Sequence, residues 1–198
     1  IRSIAIHPTN TNMMWVGSVG GGIWKTVNSG TTWFPVDDFM PNLAVSAMVI
    51  DPINPATMYA ATGEGIGSGH TQRGDGIFKS TDSGVNWTRL ASTRASDPAV
   101  CPVGTPCPWE YVNRLAISPD GSTILAATTD GIQRSTNGGL TWSPAGTSGE
   151  FLDVDFDPIN SQLAIGSSNG LVGYTTTAGQ SWTTATFLNC SVSRPRTS

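Results

Sequence analysis

The 198-residue sequence has little charge and no long apolar run. Only 12% of its residues are charged, with 10 Lys and Arg against 14 Asp and Glu, so the formal net charge is −4. A chain without a basic surface cannot neutralise phosphates, which excludes nucleic acid as an expected partner. No segment approaches the roughly 18 consecutive apolar residues of a membrane-spanning helix. Helical periodicity is also missing, whereas 23 Gly and 7 Trp suit short strands and tight turns.

The chain also has few cysteines and no visible signal peptide. Residue 1 is Ile, so we expect a processed or excised piece of a longer polypeptide. Cys101 and Cys107 flank a short loop containing Pro and Gly, and its ends could meet in a disulfide. A disulfide favours an extracellular or cell-surface location. It also explains the spacing of these two cysteines better than a metal site does. Cys190 is left over, and we expect neither a cofactor nor a metal.

One nine-residue pattern occurs four times, at 25–33, 79–87, 134–142 and 174–182. From its second residue it has Ser or Thr, then Asp or Asn two residues on (Thr177 in the fourth copy), Gly two further on, and finally Trp. The Asp or Asn accepts hydrogen bonds from following backbone N–H groups, the Gly supplies a positive φ, and the Trp covers the hairpin. The residues assigned to these turns are Asn28, Gly30, Trp33, Asp82, Gly84, Trp87, Asn137, Gly139, Trp142, Gly179 and Trp182.

Three strand-like segments precede each turn, and a fourth strand begins at its Trp. The first strand of each unit ends at a proline, which cannot continue a central strand. The pattern predicts an all-β protein, a β-propeller of four-stranded antiparallel blades. The expected single propeller spans 1–198. Its blades are expected at about 1–36, 44–90, 112–145 and 151–187, and a tail at 188–198.

The four copies resemble Asp-box repeats, also called BNR repeats, which occur in sialidases, two-propeller xyloglucanases and sortilin-type receptors. In those families the box is a structural turn between the two outer strands of a blade, remote from the active centre. Rings of such blades usually have six or more, so the resemblance implies that these four blades belong to a larger propeller. A closed four-bladed ring is the alternative. Many functions share this fold, so the resemblance alone does not choose among them.

The insertions into the repeat fall on one predicted face. If the strands of a blade are A to D from the centre outward, the B–C and D–A loops share that face, here called the insertion face. The additional residues lie at 34–42, 63–75 and 91–111. Binding residues concentrate on loops held by a rigid scaffold, so we predict a surface for a glycan or a protein there. The candidate residues are Asp37, Asp38, Glu64, His70, Arg73, Asp75, Trp109, Glu110 and Tyr111.

A xyloglucanase- or sialidase-like glycoside hydrolase, with this chain forming part of the cleft, is the alternative function. Most such enzymes use a pair of carboxylates, and the catalytic candidates are Asp38 and Glu64. Two departures from the resembled families count against catalysis. The stretch Gly21-Gly22-Ile23-Trp24 lacks the preceding Asp of xyloglucanases, and the Arg-Ile-Pro motif of sialidases is missing. We therefore expect a secreted, non-catalytic binding or scaffold module. Its further partners would be blades of the parent protein or a second copy.

Three aspartates, Asp153, Asp155 and Asp157, alternate along the fourth A strand. Alternation places their side chains on one face of the strand. A calcium loop would need a glycine at its sixth position, and this segment continues with Pro158 and Ile159 instead. We therefore expect these aspartates to line the channel or to cap a turn.

Overall fold

A computed structural model describes residues 1–36, 42, 44–65 and 71–186. It confirms the predicted fold class, since it contains four four-stranded antiparallel sheets, each made of four consecutive strands. Blade 1 consists of β1 (Ser3–Ile6), β2 (Met14–Ser18), β3 (Gly22–Thr26) and β4 (Phe34–Val36). Blade 2 consists of β5 (Val45–Ile50), β6 (Met58–Thr62), β7 (Ile77–Ser80) and β8 (Thr88–Arg89). Blade 3 consists of β9 (Val112–Ile117), β10 (Ile124–Thr128), β11 (Gly131–Ser135) and β12 (Ser143–Pro144). Blade 4 consists of β13 (Phe151–Phe156), β14 (Ala164–Ser168), β15 (Leu171–Thr175) and β16 (Thr183–Thr186).

The long insertion between blades 2 and 3 contains two short 3₁₀ turns, Ala91–Thr93 and Pro108–Glu110. Within the described ranges, no helix is long and apolar enough to cross a membrane. Apart from its two 3₁₀ turns, the insertion between blades 2 and 3 is an irregular loop.

The hydrophobic core lies between the blades. The innermost strands β1, β5, β9 and β13 contact one another in that order. Trp15 and Phe78 are fully buried in the cluster between blades 1 and 2, and Ile132 and Phe151 are buried between blades 3 and 4. Burial of such large side chains is the main favourable term for this packing. Ile4 of blade 1 and Ile165 of blade 4 are exposed, so the four blades form an open arc.

The second copy of the repeated turn shows how the pattern closes the hairpin. Ser80 Oγ accepts a hydrogen bond from Gly84 N–H (2.9 Å), and Asp82 Oδ1 accepts one from Asn86 N–H (2.9 Å). The Trp87 ring donates from Nε1 to the carbonyl oxygen of Gly84 (3.2 Å). The backbone hydrogen bond from Asn86 is the main cause that lowers the pKa of Asp82 to about 2. The acidic group is thus engaged by the turn, as predicted.

The fourth copy keeps this geometry without Asp or Asn. Thr177 Oγ1 accepts a hydrogen bond from Ser181 N–H (3.0 Å), and Trp182 Nε1 still donates to Gly179 O (3.3 Å). In all four turns, the residue directly before the repeat glycine is also left-handed. The sequence pattern did not indicate this second left-handed residue. These residues are Ser29 (φ 57°), Ser83 (φ 58°), Gly138 (φ 67°) and Ala178 (φ 51°).

A cation joins each of the first three blades to the next one. The residue immediately before each turn donates to the backbone carbonyl of the left-handed residue in the following blade's turn. The three bonds run from Lys25 Nζ to Ser83 O (3.0 Å), from Lys79 Nζ to Gly138 O (3.4 Å) and from Arg134 Nε to Ala178 O (2.7 Å). Burial is the main cause that lowers the pKa of Lys25, and the charge of Asp82 opposes it. Blade 4 carries Tyr174 at the equivalent position.

Candidate binding site at the axial mouth

Bulges at the inner strands direct side chains toward the axis. The pairing register shifts between Val45 and Ala47 in blade 2 and between Phe151 and Asp153 in blade 4. A bulge leaves one residue unpaired and re-aims its side chain. The residues concerned, Ser46 and Leu152, lie at the insertion-face end of their strands and line a common cavity.

This cavity, of about 160 Å³, is the axial mouth, and all four blades contribute to it. Its lining residues are Arg2, Ser46, Gly63, Glu64, Asn113, Arg114, Leu152 and Asp153. Two ion pairs cross it between neighbouring blades. Arg2 contacts Glu64, and Arg114 Nε lies 3.2 Å from Asp153 Oδ1. Two further bonds join the strands behind the mouth: Ser46 Oγ donates to Val112 O (2.5 Å) and Asn113 Nδ2 donates to Phe151 O (2.8 Å).

Of the residues predicted from the insertions, Glu64 reaches this mouth. Arg73 and Glu110 lie beside a different cavity, of about 450 Å³, under the loop that carries the disulfide. Their side chains form an ion pair, with Arg73 Nη2 2.5 Å from Glu110 Oε1; the arginine is exposed and the glutamate is half-buried. Asp75 contacts Arg89 and accepts a hydrogen bond from Ser96 N–H (3.0 Å), so it ties the long insertion to blade 2.

Trp109 is part of the core. Its side chain is 5% exposed and meets Trp142 edge-on, with ring centroids 5.3 Å apart. Its ring is therefore closed to a ligand, in contrast to the surface role that its loop position suggested. Trp142 differs from the other turn tryptophans, which donate from Nε1 to the carbonyl oxygen of the turn glycine. Here Ser92 Oγ donates to that oxygen, Gly139 O, at 2.7 Å, and Trp142 Nε1 has no hydrogen-bond partner among the described residues.

The two largest insertions form one unit. Gly74 N–H donates to Glu110 O (2.8 Å) and Gly76 N–H donates to Trp109 O (3.0 Å). Cys101 and Cys107 are joined by a disulfide, with a Cα–Cα distance of 5.3 Å, and both are buried. Tyr111 is half-buried at the base of this unit. The long loop is thus fixed against the B–C loop of blade 2 as a rigid rim beside the axial mouth.

Three predicted ligand residues, Asp37, Asp38 and His70, lie outside the described residues, as does Cys190. Asp153 and Asp155 of β13, and Asp157 directly after that strand, divide between the two roles that we expected. Asp153 lines the axial mouth, and Asp155 lines a second axial cavity of about 300 Å³. Asp157 caps the following turn by accepting hydrogen bonds from Ile159 N–H and Asn160 N–H, both at 2.8 Å. In the part of the chain that the structure describes, no group of three or more His, Cys, Asp or Glu could hold a metal ion.

Arg2 and Asn113 were not predicted from the sequence as residues of the site. The available signal was their place at the start of an A strand, because those strand ends meet around the axis of a propeller. Arg114 and Asp153 carried the same signal.

Comparisons with known proteins find relatives at low sequence identity. No protein-family model matches the chain. It is similar to a xyloglucanase of Hypocrea jecorina (strain QM6a), with 28% identity over 155 residues, 72% of this chain and 17% of that protein. It is also similar to a xyloglucanase of Paenibacillus sp, with 26% identity over 152 residues, 72% of this chain and 14% of that protein. The chain therefore spans 14 to 17% of the length of these curated relatives.

Solved structures support the same fold. An ancestral GH74 enzyme matches with a TM-score of 0.70 at 22% identity, over 92% of this chain and 25% of that one. The GH74 enzyme of Niastella koreensis matches with a TM-score of 0.66 at 23% identity, over 91% and 28% of the two chains. YCF48 from Cyanidioschyzon merolae matches with a TM-score of 0.60 at 18% identity, over 95% and 56%. At these identities the likeness shows the fold alone. The chain is a β-propeller arc that corresponds to part of larger chains.

Proposed function

We propose that this chain is the glycan-binding part of an extracellular propeller and that the axial mouth holds the ligand. One observation carries the proposal: polar side chains from all four blades converge on a single cavity at the insertion face. The lining offers two guanidinium groups, two carboxylates, an amide and a hydroxyl. Sugar hydroxyls both donate and accept hydrogen bonds, so a mixed set of charged donors and acceptors suits them.

The charge balance of the mouth favours a neutral polar ligand. Each arginine faces a carboxylate, so the cavity presents no net excess of either sign. An anionic ligand would have to compete with Glu64 and Asp153 for the guanidinium groups. A neutral polysaccharide can instead bridge the ion pairs without separating them. The names of the curated relatives make xyloglucan the first neutral glycan to examine.

Glycoside hydrolysis is the second candidate, because Glu64 and Asp153 line the same cavity. Most glycoside hydrolases place two carboxylates on either side of the scissile bond. Glu64 is one of the two catalytic candidates predicted from the sequence, and the other, Asp38, lies outside the described residues. Asp153 supplies a carboxylate that is present in the mouth. The similarity to xyloglucanases also supports this candidate.

The structural elements carry three further proposals. We propose that the four turns are Asp-box repeats, since in all four the Ser or Thr hydroxyl oxygen accepts a hydrogen bond from the N–H of the repeat glycine. We also propose that 1–198 is a single propeller with blades at about 1–36, 44–90, 112–145 and 151–187 and a tail at 188–198. The Cys101–Cys107 disulfide supports an extracellular or cell-surface location, because disulfides persist in oxidising compartments.

Titration of the chain with soluble xyloglucan, followed by calorimetry, tests the binding proposal. Glu64→Gln and Asp153→Asn should each weaken binding roughly tenfold or more, since each removes a charged hydrogen-bond partner. Asp157→Asn is the matched control, because it changes a carboxylate beyond the opposite end of the same strand, β13. Mouth variants that bind like the control would show that the ligand does not use the axial mouth.

Release of reducing ends from the same polysaccharide distinguishes the two candidate functions. A binding module gives no turnover while it retains affinity. Turnover that Glu64→Gln abolishes, with Asp157→Asn unaffected, would establish the hydrolase instead.

A further inference from the structure

The backbone of Glu64, the mouth residue that lies in an insertion, is held by two further segments of the insertion face. Glu64 N–H donates to Gln72 O at 2.8 Å, and residues 64 and 72 form an antiparallel bridge. Two residues further along, Gly74 N–H donates to Glu110 O at 2.8 Å. The segment that pairs with Glu64 is therefore itself fixed by the carbonyl group of Glu110.

The residues on either side of Glu64 also pack directly against the long insertion. A Cβ on Gly63 would lie 2.2 Å from Glu110 O, and one on Gly65 would lie 3.2 Å from Tyr111 Cβ. Gly63 also has φ +99°, so the close approach of the two backbones requires glycine there. Both neighbours of Glu64 thus rest on the backbone or Cβ of residues 110 and 111, which determines where the Glu64 side chain enters the mouth.

A buried disulfide fixes the 3₁₀ turn that ends at Glu110. Cys107 directly precedes this turn, Pro108–Glu110, and its carbonyl oxygen accepts a hydrogen bond from Glu110 N–H at 3.3 Å. Cys101 and Cys107 are 8% and 7% exposed, and they belong to the same hydrophobic cluster as Trp109. The disulfide therefore joins the core of the arc to the carbonyl group that supports the backbone around Glu64.

We propose that Cys107 and Glu110 are positioning residues of the axial mouth, which place the Glu64 carboxylate through the backbone. This inference rests on the proposed function, in which Glu64 binds the glycan. The Glu64 side chain contacts Arg2 and is 18% exposed, so a displacement of its backbone changes both its ion pair and its access to the ligand. A site that is already held in its bound geometry binds more tightly, because fewer groups have to be ordered when the ligand arrives.

Amide hydrogen exchange tests the positioning without a ligand. In the double variant Cys101→Ser/Cys107→Ser, the amides of Glu64 and Gly74 should exchange at least roughly tenfold faster, because the turn that supports them is no longer fixed. The amide of Gly84, in the repeated turn of the same blade, is the internal control and should keep its rate. Unchanged exchange at Glu64 and Gly74 would overturn the proposal, whether or not the chain binds xyloglucan.

Calorimetric titration with soluble xyloglucan tests the effect on the site, in a double-mutant cycle. The serine pair should weaken binding by the wild-type chain roughly three- to tenfold. In a Glu64→Ala background the same pair should cost less than roughly twofold, because there is no carboxylate left to position. Equal losses in both backgrounds would indicate a general loosening of the fold and would contradict a role through Glu64. A wild-type chain that binds no xyloglucan would refute the proposed function, and the exchange rates would then decide the positioning by themselves.

Gly65→Ala is a second variant, which keeps the disulfide and decides the question if circular dichroism shows that the serine pair does not fold. Its Cβ would press on Tyr111 and separate the Glu64 backbone from the long insertion, so binding should weaken roughly threefold or more, and only while Glu64 is present. Gly20→Ala is the matched control, because Gly20 lies in the B–C loop of blade 1 and its Cβ would have no heavy atom of the described residues within 4 Å. Equal affinities of the Gly65 and Gly20 variants would overturn the proposal.

Discussion

Gly84 has a left-handed backbone conformation and also packs against Trp15 of blade 1. The substitution Gly84→Ala tests both effects. Gly84 has φ +73°, and a Cβ there would lie 2.8 Å from Trp15 Nε1 and 3.3 Å from Met58 Sδ. A left-handed backbone costs an L-residue about 1–2 kcal/mol. Crowding a fully buried ring adds about 1–3 kcal/mol. We therefore expect Gly84→Ala to lower the free energy of unfolding by about 2–5 kcal/mol.

Gly30→Ala is the matched control for this prediction. Gly30 occupies the same turn position with φ +87°, but the nearest heavy atoms to its Cβ would be at 3.7 Å, an ordinary van der Waals distance. It should carry only the backbone cost of about 1–2 kcal/mol. Urea denaturation followed by tryptophan fluorescence measures both variants. Equal losses would refute the reasoning, because the turn conformation alone would then account for the effect.

Two further predictions concern Trp109 in the core and Asp82 in the second repeated turn. Trp109→Ala removes a ring that is 5% exposed, so the free energy of unfolding in urea should fall by about 3–5 kcal/mol; a change within about 0.5 kcal/mol, typical of a surface position, would contradict the core assignment. The backbone hydrogen bond from Asn86 is the main cause that lowers the pKa of Asp82 from 3.8 to about 2. A depressed pKa in the folded state gives stability that is complete above the unfolded value and is lost as the pH falls toward about 2. Urea denaturation between pH 6 and about pH 2 should therefore show a decline that is smaller in Asp82→Asn, and identical profiles for the two proteins would contradict this prediction.

The blades could be predicted from the sequence because their signals are local. In each turn, the residues that set the conformation lie within eight positions of one another, as between Ser80 and Trp87. Strand periodicity and the prolines then locate the remaining strands. The second left-handed residue was missed because its side chain carries no signal: Ser83 and Ala178 accept the same conformation.

The site was predicted in part, since its residues are brought together by the arc. Glu64 was found because it lies in an insertion. Its partner Arg2 lies 62 residues away, directly before β1, in a segment without a motif of its own. Trp109 was placed on the surface because an irregular loop has no periodicity that separates inward from outward side chains. The contact with Trp142, rather than its own sequence neighbours, fixes its burial.

The cation contacts between blades recognise a carbonyl oxygen, which every amino acid carries. Lys25, Lys79 and Arg134 meet Ser83, Gly138 and Ala178, three different side chains at the same point of contact. A substitution at the accepting position therefore leaves the bond intact, provided that the new residue accepts the left-handed backbone. The two partners do not have to change together. Such an interface lets the repeats of one chain diverge in sequence while every blade remains compatible with its neighbour, and it makes the donor position the one where a change affects the joint.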